Sequence, residues 1–593
     1  MPFHRQFLAL FNQKTLKYVL EVLYKIALSS AVFGLFLLVA DFGFEHSQRL
    51  NSFFNTSYLF IVLIGIVLAS LRHLNLGSQI RKKVMVFDAI SVLFSLFVVL
   101  SYFLFAKDFT IVFSYLLRVT VFLTFVREFS ELKLVYRRAV LNPAQLFVTS
   151  FIVIIFIGSL LLKLPNATMH GISFIDALFT STSAVCVTGL AVVDTGKDFT
   201  VFGQFIILFL IQIGGLGILT FASYFSYFFK GESSYENQLT MGDVTSSRKL
   251  GEVFSTLKYI IIITFSIELI SAIAIFFTVN DSLFSSLWDK LFFSVFHAVS
   301  AFCNAGFSTL SDSLYDGAFK FNYGLHLVII LTFVFGGLGF PIVSNVVQFF
   351  RYKFSNLLLF GKKKVLYRPW VLTMNSRITL ITTLSITVVA FLVFYALEYN
   401  NTLSEHSGIG KIITAMFGAT TPRTAGFNSI DSSAMTLPTI LFVILLMWIG
   451  ASPASTGGGI KTSTFAIATL NILSLAKGKS RIEIFRREIS EISIRRAFAT
   501  IALSLIVIGT GIMVIAAVEN DLSITKISFE CFSAYSTVGL SLGITSSLSL
   551  TSKCVLIVIM FVGRVSMLSI IIAVFRKVKH KNYRYPSEEI MIN

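Results

Sequence analysis

Charge is what this chain has least of. Asp, Glu, Lys and Arg make up 13% of its 593 residues, against 55% hydrophobic, where a soluble globular protein carries about 25% charged residues. Too little polar surface remains to solvate a body of this size, which excludes a soluble enzyme. The mean hydropathy of +0.83 points the same way, to one large body with many membrane spans. Cysteine is scarce too: four residues, with no CxxC and no metal-ligand spacing. The eight histidines are scattered without HxxxH or any triad spacing, so no catalytic constellation emerges and the chain does not read as an enzyme. GGLG occurs at 214–217 and 336–339, but no strand precedes either copy, so these are not phosphate loops.

What the chain has in abundance is long apolar runs. A spanning helix needs about 20 mostly apolar residues. Twelve candidates lie near 18–40, 57–71, 84–106, 109–126, 145–163, 201–229, 256–279, 323–350, 376–397, 438–475, 497–518 and 553–575. The first is not a signal peptide, because no small-residue cleavage site follows it and further spans come after. With both termini inside, 34 of the 48 Lys and Arg face the cytoplasm and 10 the opposite side, a strong positive-inside asymmetry. The net charge of +18 is therefore topogenic, and nucleic acid is not expected as a partner. The expectation is a multi-pass protein of the cell membrane, in contact with lipid, with both termini cytoplasmic. Sixteen acidic residues sit in the outer segments, an excess that concentrates cations there.

A fourfold repeat occupies the last eight spans. Their outer loops read SAVCVTGL, SAFCNAGF, TTPRTAGF and SAYSTVGL, ending at Gly189, Gly306, Gly426 and Gly539 with separations of 117, 120 and 113 residues. Six residues before each glycine stands a hydroxyl: Ser183, Ser300, Thr420 and Ser533. Bulky Leu190, Phe307, Phe427 and Leu540 follow, and each second span carries a further glycine at Gly214, Gly336, Gly450 or Gly563. The unit is span, half-buried loop, span, four times over. The expected fold is an all-α polytopic membrane protein in which four span–pore-loop–span repeats surround a central pore, preceded by about four extra helices. The units divide as an N-terminal bundle over 1–143, then repeats over 144–250, 251–370, 371–490 and 491–593, the last including the C-terminal tail.

Non-helical backbone survives at membrane depth only inside protein or along a watery cavity. Four such loops around one axis can aim carbonyl oxygens inward and replace an ion's hydration shell. Short segments before the glycines, at 174–184, 290–301, 410–420 and 526–535, can form half helices whose negative C-terminal ends face a cation. A blander reading is that the glycines only allow close helix packing; four loops in register weigh against it.

These motifs resemble the Trk/Ktr/HKT superfamily of potassium transporters. Val187–Thr188–Gly189, Asn304–Ala305–Gly306, Thr424–Ala425–Gly426 and Thr537–Val538–Gly539 look like that family's reduced selectivity filter. SPASTGGGIKTST, Ser452 to Thr464, looks like its interruption of the third unit's second helix, and Arg564 stands where the family also has an arginine. The resemblance implies K⁺ uptake, with some members Na⁺-dependent, through the filter and a gate beneath it. Gly457, Gly458 and Gly459 would form that gate, since glycine costs a helix about 1 kcal/mol each against alanine. Four glycines go with K⁺ rather than Na⁺. The resemblance also implies a homodimer and a separate cytosolic ring of nucleotide-binding subunits, so nucleotide would act only through a partner, with K⁺ as substrate and no cofactor in the chain. Lys362–Lys364 and Arg486–Arg487 could dock such a ring, or simply satisfy topology. A bacterial inner membrane follows from the resemblance alone.

Several polar residues remain open on sequence. Arg564 inside a span costs about 2.5–3.5 kcal/mol; it is expected to face the cavity as a barrier to cations, to bond carbonyls freed by the 452–462 break, or both. Lys461 either snorkels to the cytoplasm or joins that network. Arg423 is expected to anchor behind the filter against Glu530 or Asp431, and His297 to mark a polar boundary. In the N-terminal bundle Arg118 is expected to pair with Asp88 or Glu21. One arginine is too few for steep voltage gating, so the bundle reads as a degenerate sensor or a scaffold. Rivals to the whole reading are a Na⁺-permeable or Na⁺-coupled transporter and a non-conducting membrane scaffold or receptor.

Overall fold

The computed structural model describes residues 13–76, 82–105, 110–130, 143–217, 253–358 and 371–574. Apolar runs become helices throughout, and a two-residue-per-strand hairpin is the sole named sheet among the described residues. The first four helices are α1 (Gln13–Gly43), α2 (Gln48–Leu76), α3 (Lys82–Phe105) and α4 (Thr110–Ser130). They pack around Leu38, Tyr58, Val62, Val98, Leu117 and Val121. Two ion pairs tie α4 into this bundle. Arg118 Nε lies 2.7 Å from Asp41 Oδ2 near the end of α1, and Arg127 pairs with Asp88 on α3. Arg118 thus takes Asp41 rather than Asp88, because Asp88, near the start of α3, is held by Arg127 near the end of α4. The Glu21 side chain lies outside the described residues.

Each pore unit then supplies a long outer helix, a short pore helix and a second long segment. Unit one holds α5 (Pro143–Leu162), α6 (Phe174–Cys186) and α7 (Val201–Leu216); unit two holds α8 (Val253–Thr278), α9 (Leu287–Phe302), α10 (Tyr323–Leu338) and α11 (Phe340–Leu358). Unit three is α12 (Met374–Glu398), α13 (Ile409–Thr420), α14 (Leu437–Trp448) and α15 (Thr462–Ala476). The hairpin β1 (Glu483–Ile484) and β2 (Arg487–Glu488) leads into unit four: α16 (Glu491–Val518), α17 (Ile524–Tyr535), α18 (Leu550–Val565) and α19 (Met567–Val574). Three pore helices open on serine caps: Ser173, Ser286 and Ser523 accept from the backbone N–H three residues on.

The second spans break within the expected runs, apart from 218–229 of the first, which lie outside the described residues. By length and apolarity five described helices qualify as crossings, and a sixth if the pair α10–α11, bent by 104°, is one broken span. Breaks recur in register: Gly217 (φ 78°), Gly339 (φ 82°) and Ser566 (φ 73°) leave the helix in the left-handed half of φ space, each three residues after Gly214, Gly336 or Gly563. In unit three the break widens to the segment 449–461 between α14 and α15. Sequence pointed to an interruption only there. Gly214, Gly336 and Gly563 themselves press on the carbonyls of Val185, Phe302 and Tyr535, where any Cβ would overlap. That contact seats each inner helix directly behind the end of its own pore helix.

Candidate filter and gate

The four pore helices end in four loops that share one backbone pattern. Val187, Asn304, Thr424 and Thr537 have φ of 59°, 59°, 70° and 50°, and the glycines two residues on have φ of 88°, 69°, 77° and 91°. Glycine takes the last position without steric penalty, and a second constraint reinforces it. A Cβ on Gly189 would strike the carbonyl of Ala305; on Gly306 it would lie 2.9 Å from Gly426 Cα. On Gly426 it would strike Val538 O, and on Gly539 Thr188 O. The contacts run from unit one to two, three, four and back to one, closing a ring. All twelve residues of the predicted filter stand in these loops, and the side chains of Val187, Thr188, Thr424, Thr537 and Val538 are fully buried.

Hydroxyls fix the loops to their pore helices in two ways. Ser183 and Ser533 accept from the N–H of Gly189 and Gly539 at 3.0 and 3.1 Å. Ser300 and Thr421 instead donate to the carbonyls of Phe307 and Phe427, both at 2.7 Å. In the third loop the hydroxyl six residues before the glycine, Thr420, makes no such bond, and Thr421 makes it instead; Thr420 Oγ1 donates back into its own helix, to Met416 O at 2.6 Å. Arg423 does lie behind the filter, but Glu530 and Asp431 are not its partners. Its Nη1 reaches Thr383 O and Thr387 Oγ1 on α12 at 3.4 Å, while Glu530 accepts from Ser541 and Thr545 and Asp431 from Ser433. Position governs this: Arg423 aligns with Cys303, whose sulfur likewise lies against a flanking helix, 4.0 Å from Glu268 on α8. His297 is no boundary residue either. It is fully buried, and joins Phe293 O to Ser308 Oγ, both at 2.9 Å.

Segment 449–461 lies directly beneath the loops. A side chain on Gly457 would run into Thr424 and one on Gly458 into Thr537, while Gly459 has φ of 66° and a Cβ there would lie 3.2 Å from Ser536. Thr456 Oγ1 and Thr424 Oγ1 lie 3.3 and 3.2 Å from the side-chain amide of Asn304, a link between filter and segment that the sequence motif did not suggest. Ser452 N donates to Gly337 O at 3.0 Å, and Thr462 N to Ala451 O at 3.1 Å. Arg564 donates to Thr456 O and, at 2.6 Å, to Gly214 O; Lys461 Nζ donates to Gly457 O at 2.6 Å. Both cations therefore join the carbonyl network of the break.

Two cavities flank this assembly. The outer one, about 600 Å³, is lined by the four filter glycines with Asp194, Asp312 and Asp431. An inner one, about 590 Å³, meets Gly214, Gly217, Gly457, Lys461 and Arg564. The four loops and the segment under them separate the two, an arrangement suited to moving a dehydrated cation past backbone carbonyls.

Residues 106–585 match the family described as TrkH, cation transport protein. The chain is 38% identical over 451 residues to the Ktr system potassium uptake protein B of Bacillus subtilis, covering 76% of this chain and 96% of that one. It is 34% identical to the potassium/sodium uptake protein NtpJ of Enterococcus hirae, with coverage of 76% and 97%. Among solved structures the potassium transporter TrkH from Vibrio parahaemolyticus shares the fold, with a TM-score of 0.56 at 19% identity, covering 82% of this chain and 97% of that one. A multi-pass helical membrane protein and no enzyme, the chain belongs to the TrkH family of cation transport proteins, within the Trk/Ktr/HKT superfamily.

Proposed function

We propose that this chain carries K⁺ into the cell down its electrochemical gradient. Thr188, Ala305, Ala425 and Val538 supply the carbonyls of the filter, and Gly189, Gly306, Gly426 and Gly539 give those carbonyls room. The ring contact of each glycine with the loop of the next unit is the observation that carries this reading, since a scaffold has no need of four loops closed on one axis. Support from relatives is that those named above are potassium or potassium/sodium uptake proteins. Segment 457–459 acts as the gate, held shut under the filter by Arg564. As a subunit in the inner membrane with both termini cytoplasmic, the chain pairs with a second copy and with a cytosolic nucleotide-binding ring. The positive-inside asymmetry supports the orientation, and the exposed Arg486 at the hairpin tip supports a cytosolic contact. Lys362–Lys364, the other candidate contact, and both termini lie outside the described residues.

Ion flux into proteoliposomes holding the purified chain tests this, with K⁺ or Na⁺ as sole permeant cation. K⁺ flux should exceed Na⁺ flux, and Gly539→Ser should lower that preference by roughly tenfold or more, a difference of about 1.4 kcal/mol between the ions. Equal fluxes in the parent protein would assign a Na⁺-permeable pore; a selectivity unchanged by Gly539→Ser would overturn the filter.

A further inference from the structure

At the seam between units one and two, α8 turns a polar stripe inward. Thr264, Glu268 and Ser271 follow one another at the spacing of a single helix face, and all three are buried. Ser271 is satisfied, accepting from Thr332 Oγ1 at 2.8 Å. Glu268 is not balanced in the same way. Gln212 Nε2 on α7 donates to its Oε2 at 3.3 Å, and Cys303 Sγ, at the end of α9, lies 4.0 Å from Oε1. Both neighbours are neutral, and no Lys or Arg pairs with this carboxylate among the described residues. Beside it are two buried oxygens without any hydrogen-bond partner, Thr264 Oγ1 and Gln212 Oε1. Such atoms are rare in native interiors, because each forfeits its solvation.

A proton on Glu268 would answer the charge and could donate to one of the two oxygens at most, leaving the other orphaned. A water would answer the oxygens and leave the charge. A metal cation answers all three. Carboxylate, amide carbonyl and hydroxyl are hard oxygen donors of the kind alkali and alkaline-earth ions take, and a single negative charge matches a single positive one. We propose that Glu268, Gln212 and Thr264 form a binding site for a monovalent metal cation outside the ring of filter loops. The site adjoins the foot of the second loop: Cys303 is three residues before Gly306, and Gly215 presses on its sulfur from the inner cavity. Ile263, next to Thr264, and Ile260, one turn before it on α8, line that cavity, so the site lies close beside it.

The test is equilibrium binding of radioactive sodium, and separately of radioactive rubidium as a K⁺ stand-in, to the full chain in detergent. Glu268→Gln should lose one cation equivalent per chain in one of the two arms, and the arm identifies the ion. Thr264→Val, which keeps the charge, should weaken that equivalent by about two- to tenfold. Both variants should still pass K⁺ in liposomes, since the filter loops are untouched. Equal binding by parent and Glu268→Gln in both arms would sink the site, as would a variant altered only in the pH dependence of its flux. If Glu268→Gln fails to fold, an unchanged affinity in Thr264→Val has the same force. Binding is measured without transport, so this site and the pore reading can fail separately.

Discussion

Arg564 on the last inner helix donates to the carbonyl of Thr456, in the middle of the segment that interrupts the third. Its second nitrogen holds Gly214 O at 2.6 Å, where α7 nears its break. One guanidinium therefore fastens the segment to two other walls of the pore. Hydrogen bonds from a charged group contribute about 1.5–3 kcal/mol each, more than neutral contacts in the same place.

Removing that fastening should favour the open segment. For Arg564→Ala we expect K⁺ flux in proteoliposomes to rise roughly tenfold, as loss of one such bond shifts a two-state equilibrium by about that factor. Slower flux in a variant that purifies as a single well-folded species would argue against a restraining role.

Gly458 makes the opposite test, by crowding rather than release. A methyl group there meets Thr537 of the fourth filter loop, so Gly458→Ala should push the segment away from the filter. Basal flux should increase while the K⁺/Na⁺ ratio stays within about twofold, because the loops themselves keep their conformation. A collapse of selectivity with no gain in flux would place Gly458 in the filter instead.

Glu519, just past α16, caps α18. It accepts from Ser549 N and Ser552 Oγ, both at 2.8 Å. The backbone N–H of Ser549, then the hydroxyls of Ser549 and Ser552, hold its carboxyl below the usual range. Its folded pKa is the lower one, so its contribution is complete above the ordinary glutamate value of about 4.3 and fades as pH falls through the folded value. Glu519→Gln should lower the melting temperature at neutral pH, and the gap to the parent should close in acid. A gap that widened in acid would refute the assignment.

The bundle offers a pairwise test. Arg118 and Asp41 are 15% and 3% exposed at the side chain, buried enough that leaving either one alone costs about 3–5 kcal/mol. Asp41→Ala should therefore destabilise more than the double change Asp41→Ala/Arg118→Leu. Thermal melting of these two and of Arg118→Leu measures the coupling, and additive losses would mean the pair is not a unit.

Much of the helix-and-loop pattern was legible before any coordinates. The period of the glycine loops located all four pore helices, with boundaries shifted by only a few residues at either end, because cap serines and apolar runs are local signals. The breaks at Gly217, Gly339 and Ser566 were not legible, since each lies inside an unbroken apolar run and one is a serine. Hydropathy counts residues and is blind to φ. Partner choices failed for another reason: Arg118 with Asp41 and Arg423 with Thr387 depend on depth and azimuth, which a linear reading does not contain. The pairing of Asn304 with Thr456 joins residues 152 positions apart, beyond the reach of any local pattern.

Because the ring of glycine loops closes within one chain, its four walls are separately heritable. A channel assembled from identical subunits repeats every filter mutation four times and must tolerate all copies at once. Here Gly189, Gly306, Gly426 and Gly539 each touch a different neighbour, so one wall can drift while three keep their geometry. Asn304, Arg423 and Arg564 each occur in one unit alone, and that singularity is open only to a pore whose symmetry is approximate.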